Sequence, residues 1–146
     1  MMSIMDANVF FKNIETLTLR RDNLLRKFRR LLRDYAKGRI ELDDVLDILK
    51  TLRRSRRALT KLLRDRLGIY NDIREGYLEL VGTLLEFTTI VAINEEEELL
   101  RRLGKVFEKK GVKDSNIFNE LRNDLEEVKE LSKLVTEFLN GLYRSR

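Results

Sequence analysis

The chain contains no cysteine, histidine, proline or tryptophan among its 146 residues. Without cysteine it forms neither disulfides nor thiolate metal sites, and without histidine it lacks the commonest metal ligand and the usual general base. Only carboxylates remain for catalytic or metal-binding roles. We therefore expect a protein that is not an enzyme, takes no small-molecule substrate and uses no cofactor.

A long apolar run is also missing. The longest weakly charged stretch, residues 77–94, contains Glu79 and Glu86, whereas a membrane-spanning helix needs roughly 20 mostly apolar residues. The first residues show no basic segment followed by an apolar core, so no signal peptide is predicted. We expect a cytoplasmic protein that is not integrated into a membrane.

The sequence is rich in helical periodicity. Apolar residues recur at alternating steps of three and four, the heptad spacing of helices that pack along their length. Helices are predicted at residues 8–36, 43–93, 95–110 and 115–143, the second being either continuous or broken at Gly68. The fold predicted for residues 1–146 is a single all-α domain. In it, a long antiparallel helical hairpin, a short helix and a long C-terminal helix packing back form an elongated, coiled-coil-like bundle.

Several helix ends carry local signals. Gly38 and Gly111 each follow a basic last turn, which predicts a helix C-terminus with a left-handed glycine. Asn94, followed by four glutamates, predicts an N-cap with a capping box. Asp114 or Ser115 is predicted to cap the final helix.

The charge divides the chain into two parts. Residues 20–67 contain 17 Lys or Arg and 7 Asp or Glu, a net of 17 − 7 = +10, whereas the rest has a net charge of −5. Thirteen of these 17 cations are arginine, whose planar guanidinium matches phosphate or carboxylate oxygens in pairs. A basic surface is therefore expected in the first half of the chain.

Helical wheels place most of these cations away from the predicted core. If the first two helices form an antiparallel hairpin, their basic stripes can merge on one flank. Arg53, Arg54 and Arg57 have no acidic residue three or four positions away, so partners within their own helix are missing. The alternative is an ordinary solvated face whose charges are held by i,i+4 partners. The candidate binding residues are Arg26, Arg30, Arg33, Lys37, Lys50, Arg53, Arg54, Arg57, Lys61 and Arg64.

Three arginines fall instead on or near the inner heptad seam: Arg21, Arg56 and Arg66. Their stems can cover apolar surface, but a buried guanidinium needs a carboxylate partner. The candidate partners are Glu126, Glu127 and Glu130.

Two acidic motifs have spacings that resemble metal-binding sites. Residues 43–47, DDVLD, have the carboxylate spacing that helical isoprenoid synthases use for magnesium, but no second such motif is present and a helix start attracts acids in any case. Residues 95–98, EEEE, lack the final glutamate of an EExxE metal element, because Leu99 stands there. We predict that both motifs cap helices and that neither binds a metal.

These features favour a sequence-nonspecific nucleic-acid-binding protein that uses the basic hairpin on phosphates. The alternative is a non-catalytic helical interaction or assembly subunit, which binds an acidic protein partner or forms a homo-oligomer. The layout of a basic hairpin, a short helix and an acidic terminal helix resembles that of membrane-remodelling ESCRT filament subunits. That resemblance implies an anionic membrane surface as the polyanion.

Overall fold

The computed structural model describes residues 4–66 and 75–144, and it describes side chains for residues 9–66 and 79–144. Within these ranges there is no strand, so the all-α prediction is confirmed. A π-helical turn at Leu85–Ile90 joins the third and fourth helices into one continuous rod, called here the third rod. The helices are α1 (Ile4–Ala36), α2 (Leu42–Asp65), α3 (Glu75–Leu84), α4 (Val91–Lys109) and α5 (Ser115–Arg144).

The four rods pack as a bundle in which α1 lies between α2 and the third rod, and α5 completes the ring between the same two. Successive rods run in opposite directions. As a result, α1 is parallel to the third rod and α2 is parallel to α5. Across the core, α2 therefore lies diagonally opposite the third rod, and α1 lies diagonally opposite α5. Buried apolar side chains from all five helices form one hydrophobic core.

Aromatic pairs mark both ends of this core. Phe10 of α1 stacks on Phe138 of α5, with ring centroids 5.7 Å apart. At the other end, Tyr35 meets Phe107 edge-on at 6.0 Å. Such pairs add about 0.5 to 1.5 kcal/mol beyond the area they bury. The first stabilises a contact across the core between α1 and α5, and the second a contact between the neighbouring rods α1 and α4.

Both predicted C-terminal glycines adopt the left-handed conformation, Gly38 at φ +74 and Gly111 at φ +72. After α1, the Gly38 N–H donates to the Tyr35 carbonyl at 3.0 Å, and the next amide, of Arg39, donates to the Asp34 carbonyl at 2.8 Å. These two bonds form a Schellman motif, which satisfies carbonyls that the helix end leaves unpaired. The same motif follows α4.

The N-cap predicted at Asn94 is wrong. Asn94 lies inside α4, which begins at Val91 and continues without a boundary from the π turn. The short helix predicted at 95–110 is therefore the second half of a longer rod. A favourable capping sequence is only a weak preference, and packing of the neighbouring turns against the core overrides it. By contrast, Asp114 does cap α5, where its Oδ1 accepts from the Asn116 amide at 2.9 Å.

The second predicted helix is not continuous, because α2 ends at Asp65 with Arg66 as its C-cap. Gly68, the predicted break point, lies outside the described residues. Continued past Gly68, the heptad rhythm of the second predicted helix runs through Leu80, Phe87 and Val91 and predicts that they face the core. That prediction is wrong, since all three side chains are exposed. The core is contacted instead by the other face of the third rod, which buries Val81, Leu85, Thr89, Ala92, Ile93 and Glu96.

Candidate polyanion interface

A cluster of buried ion pairs decides which arginines are free to bind anything else. Arg21 of α1 and Arg56 of α2 are both buried, and each donates to Glu96 of the third rod at 2.6 Å. Arg56 also donates to Asp124 of α5. One glutamate thus links two rods to a third, and Arg56 extends the link to the fourth.

The environment of Arg56 shows how this burial is tolerated. Removal from water alone would lower its pKa, but the charges and hydrogen bonds of Glu96 and Asp124 outweigh desolvation and raise it. Burial of an ion pair costs least when all of its polar atoms find hydrogen-bond partners. Two atoms of Arg21, Nε and Nη1, have no hydrogen-bond partner among the described residues, so the burial of Arg21 is less fully compensated than that of Arg56.

The sequence prediction for the inner arginines is partly right. Arg21 and Arg56 are buried as expected, yet their main partners are Glu96 and Asp124; of the three predicted glutamates only Glu127 contributes, 3.3 Å from Arg56. The prediction for Arg66 is wrong, since it is exposed at the end of α2. Arg66 is the C-cap of α2, so it lies just past the last helical turn that the seam pattern describes.

Two of the candidate binding residues are neutralised by α5. Arg53 donates through Nε and Nη2 to both carboxylate oxygens of Asp124, each at 2.7 Å. Arg57 does the same with Glu127, at 3.1 and 2.8 Å. Bidentate pairs like these are the strong form of the interaction. The hydrogen bond that Arg53 donates to Asp124 raises the pKa of Arg53, and the hydrogen bond that Arg57 donates to Glu127 lowers the pKa of Glu127.

The other eight candidates are exposed, but they do not share one flank. Arg26 pairs with Asp22 at 2.9 Å, and Lys37 lies in the turn after α1. Arg33 lines a groove between α1 and α4, whereas Arg64 lines one between α2 and α5. The remaining candidates are Arg30, Lys50, Arg54 and Lys61.

The merged basic surface predicted from the sequence is therefore smaller and differently composed. One groove between α1 and α2 is lined by Arg20 and Lys61, and also by Asp65. Lys27 lies two turns after Arg20 on α1. Arg54 lies two turns before Lys61 on α2. Because the helices are antiparallel, both steps lead in the same direction along the hairpin. Arg30 and Lys50 follow one turn further.

We call these six residues the hairpin face: Arg20, Lys27, Arg30, Lys50, Arg54 and Lys61. All six are exposed, and none forms an ion pair with another residue in the described part of the chain. Arg20 and Lys27 were not among the predicted site residues. Their seven-residue spacing could have indicated a common face, but a sequence does not say which flank of α1 meets α2.

The described helices include none that is long and apolar enough to cross a membrane. Comparisons with protein-family models, curated proteins and solved structures yielded no match for this chain.

Proposed function

We propose that this protein binds nucleic acid without sequence preference, through phosphate contacts made by the hairpin face. The observation that carries the proposal is the row of six exposed cations on two adjacent helices, none of which forms an ion pair with a described carboxylate, although Asp65 lines the same groove as Arg20 and Lys61. By contrast, Arg53 and Arg57 of α2 form ion pairs with carboxylates of α5, so they are less available to a ligand than the hairpin face.

The dimensions of the face set its footprint on a duplex. On α2 the face runs from Lys50 to Lys61, 61 − 50 = 11 residues, which span about 16 Å at 1.5 Å per residue. This corresponds to about 5 base pairs at 3.4 Å each. No aromatic side chain belongs to the face, so stacking on unpaired bases has no support, and backbone phosphates are the favoured target.

The test measures how salt weakens binding. Fluorescence anisotropy of a labelled duplex of about 20 base pairs gives the dissociation constant between about 50 and 200 mM salt. If six phosphates are neutralised, the logarithm of the association constant should fall with that of the salt concentration at a slope of about −5. The variant Arg20→Glu/Arg54→Glu/Lys61→Glu should lose most of this binding and reduce the slope by about 3.

A matched control separates the hairpin face from the overall charge. Arg122→Glu/Lys129→Glu/Lys133→Glu changes three exposed cations of α5 and brings the net charge from +5 to the same value, 5 − 6 = −1. The control should bind far better than the hairpin variant. Equal losses in both variants would contradict a localised interface. Wild-type protein that ignores the duplex but floats with anionic vesicles would assign the face to a membrane surface instead.

A further inference from the structure

The third rod carries a row of exposed apolar side chains. Leu80 is 51% exposed, Phe87 70% and Val91 57%, and half-buried Leu84 lies between them. Single exposed apolar residues are ordinary on soluble proteins. Here, however, three of the six large exposed apolar residues in the described part of the chain fall on twelve consecutive positions of one rod. Such a concentration marks an interaction surface.

The row is defined by exposure rather than by an unbroken α-helical repeat. Leu80 and Leu84 belong to α3, Phe87 lies within the π turn Leu85–Ile90, and Val91 begins α4. The core of the bundle is contacted by the opposite face of the same rod, through Val81, Leu85 and Thr89. Leu84 packs partly against that core, whereas Leu80, Phe87 and Val91 are left largely exposed by the described part of the chain.

The row is complementary to itself. Its spacing reads the same from either end, so an antiparallel second copy would place Leu80 against Val91 and Leu84 against Phe87. The flanking residues follow the same symmetry, because Thr83 would lie against Thr88. An interface made of one surface pairing with itself is the arrangement that a twofold dimer requires.

Charge does not oppose this pairing. Between Leu80 and Val91 the only ionisable residue is Glu86, and its carboxylate accepts a hydrogen bond from the Tyr143 hydroxyl of α5. It is thus held toward the neighbouring rod and away from the row. Like charges facing each other across the seam would disfavour a symmetric dimer, and none is placed there.

We infer that the apolar row binds the same row of a second copy of this chain, forming an antiparallel homodimer. The contact involves few side chains, so the interface belongs to the small, weak class, and dimerisation should depend on concentration. The dimer leaves the hairpin face open, because its α2 cations lie on the rod diagonal to the third rod and Arg20 of α1 lies in the groove toward α2.

Sedimentation velocity across a concentration series tests the inference. Wild-type protein should shift toward a species of twice the chain mass of 17.4 kDa as its concentration rises. Phe87→Glu should remain monomeric at concentrations at which the wild type is dimeric. The control is Leu19→Glu, which changes a 56% exposed leucine of α1 and should dimerise normally. Circular dichroism verifies that both variants stay helical.

Disulfide trapping tests the antiparallel register, and the absence of native cysteine makes it clean. A mixture of Leu80→Cys and Val91→Cys chains should form a disulfide-linked heterodimer under oxidising conditions. Leu80→Cys alone should not, because its two sulfurs would be separated by about 16 Å along the helices.

Three results would overturn the inference. One is wild-type protein that is monomeric at every concentration, which would leave the row to a different partner. Another is a dimer that Phe87→Glu leaves intact. The third is trapping of Leu80→Cys with itself in preference to the mixture, which would indicate a parallel arrangement.

Discussion

Glu96 is the residue on which the polar part of the core depends. Its two oxygens accept from Arg21 and Arg56, which belong to two different rods, and all three side chains are buried. Without Glu96, Arg21 would lie buried with no carboxylate partner among the described residues, and Arg56 would keep only Asp124 and Glu127. An unpaired charge is costly in such a low-dielectric environment. The energetic consequences of changing this glutamate should therefore exceed those of changing its exposed neighbours.

We expect Glu96→Leu to lower the free energy of unfolding by about 3 to 5 kcal/mol, because two guanidiniums lose their shared carboxylate. Urea unfolding followed by circular dichroism measures the loss. The control, Glu98→Leu, changes an exposed glutamate that pairs only with Arg102 one turn away, and it should cost less than about 0.5 kcal/mol. Equal losses would mean that the buried cluster does not stabilise the fold.

Glu127 gives stability a dependence on pH. Mainly because Arg57 hydrogen-bonds to it, the folded protein holds its pKa below the ordinary value of 4.5. The ionised carboxylate therefore stabilises the fold above 4.5, and this contribution is lost as the pH falls through the lowered pKa. Glu127→Gln should reduce stability at neutral pH and make the acid-induced loss of stability shallower. A wild-type pH profile reproduced by the variant would exclude this role.

At the scale of elements, the ends of α1 and α4 follow from local sequence, whereas the start of α4 does not. The turns at Gly38 and Gly111 need a left-handed backbone, which residues other than glycine adopt at a cost of about 1 to 2 kcal/mol. The positions of these glycines therefore predict where the helices end. An asparagine followed by glutamates favours a helix start, and such an N-cap stabilises a helix by only about 1 kcal/mol. Continuous packing along the third rod overrides that preference.

Asn94→Ala distinguishes a cap from a helix interior. Because Asn94 is exposed inside α4, alanine should raise the free energy of unfolding by about 0.5 kcal/mol through its higher helix propensity. An N-cap asparagine would instead lose about 1 kcal/mol on the same change. The sign of the shift in the urea midpoint distinguishes the two roles of Asn94. The control is Asn140→Ala, which changes an asparagine that is also exposed within a helix.

At the scale of the whole molecule, the ring order of the rods sets what each surface can do. Packing α5 beside α2 brings Asp124 and Glu127 onto Arg53 and Arg57, which removes two cations from the basic surface. The groove between α1 and α2 keeps Arg20 and Lys61 together in the open. The apolar row lies on the rod diagonal to α2, so the two proposed interfaces do not compete.

A dimer with two hairpin faces should bind long nucleic acid more tightly than short, because the second contact on one strand is intramolecular. Phe87→Glu should therefore weaken binding to a duplex long enough for both faces but leave binding to a duplex of about 10 base pairs unchanged. Anisotropy with the two lengths measures the difference. Loss of binding to both lengths would show that Phe87 acts on the hairpin face itself, and loss to neither would separate dimerisation from binding.

The sequence by itself determined the helical class, the ends at Gly38 and Gly111 and the inner-seam positions of Arg21 and Arg56, because these depend on the periodicity and backbone preferences of neighbouring residues. Only the tertiary structure decided that Glu96 and Asp124 are the buried partners, that Arg53 and Arg57 are neutralised, and that Phe87 faces outward. These outcomes depend on which rods become neighbours and on how the π turn sets the rotation of the third rod. Residues more than 40 positions apart meet in such contacts, and a heptad rhythm fixes a face without specifying what covers it.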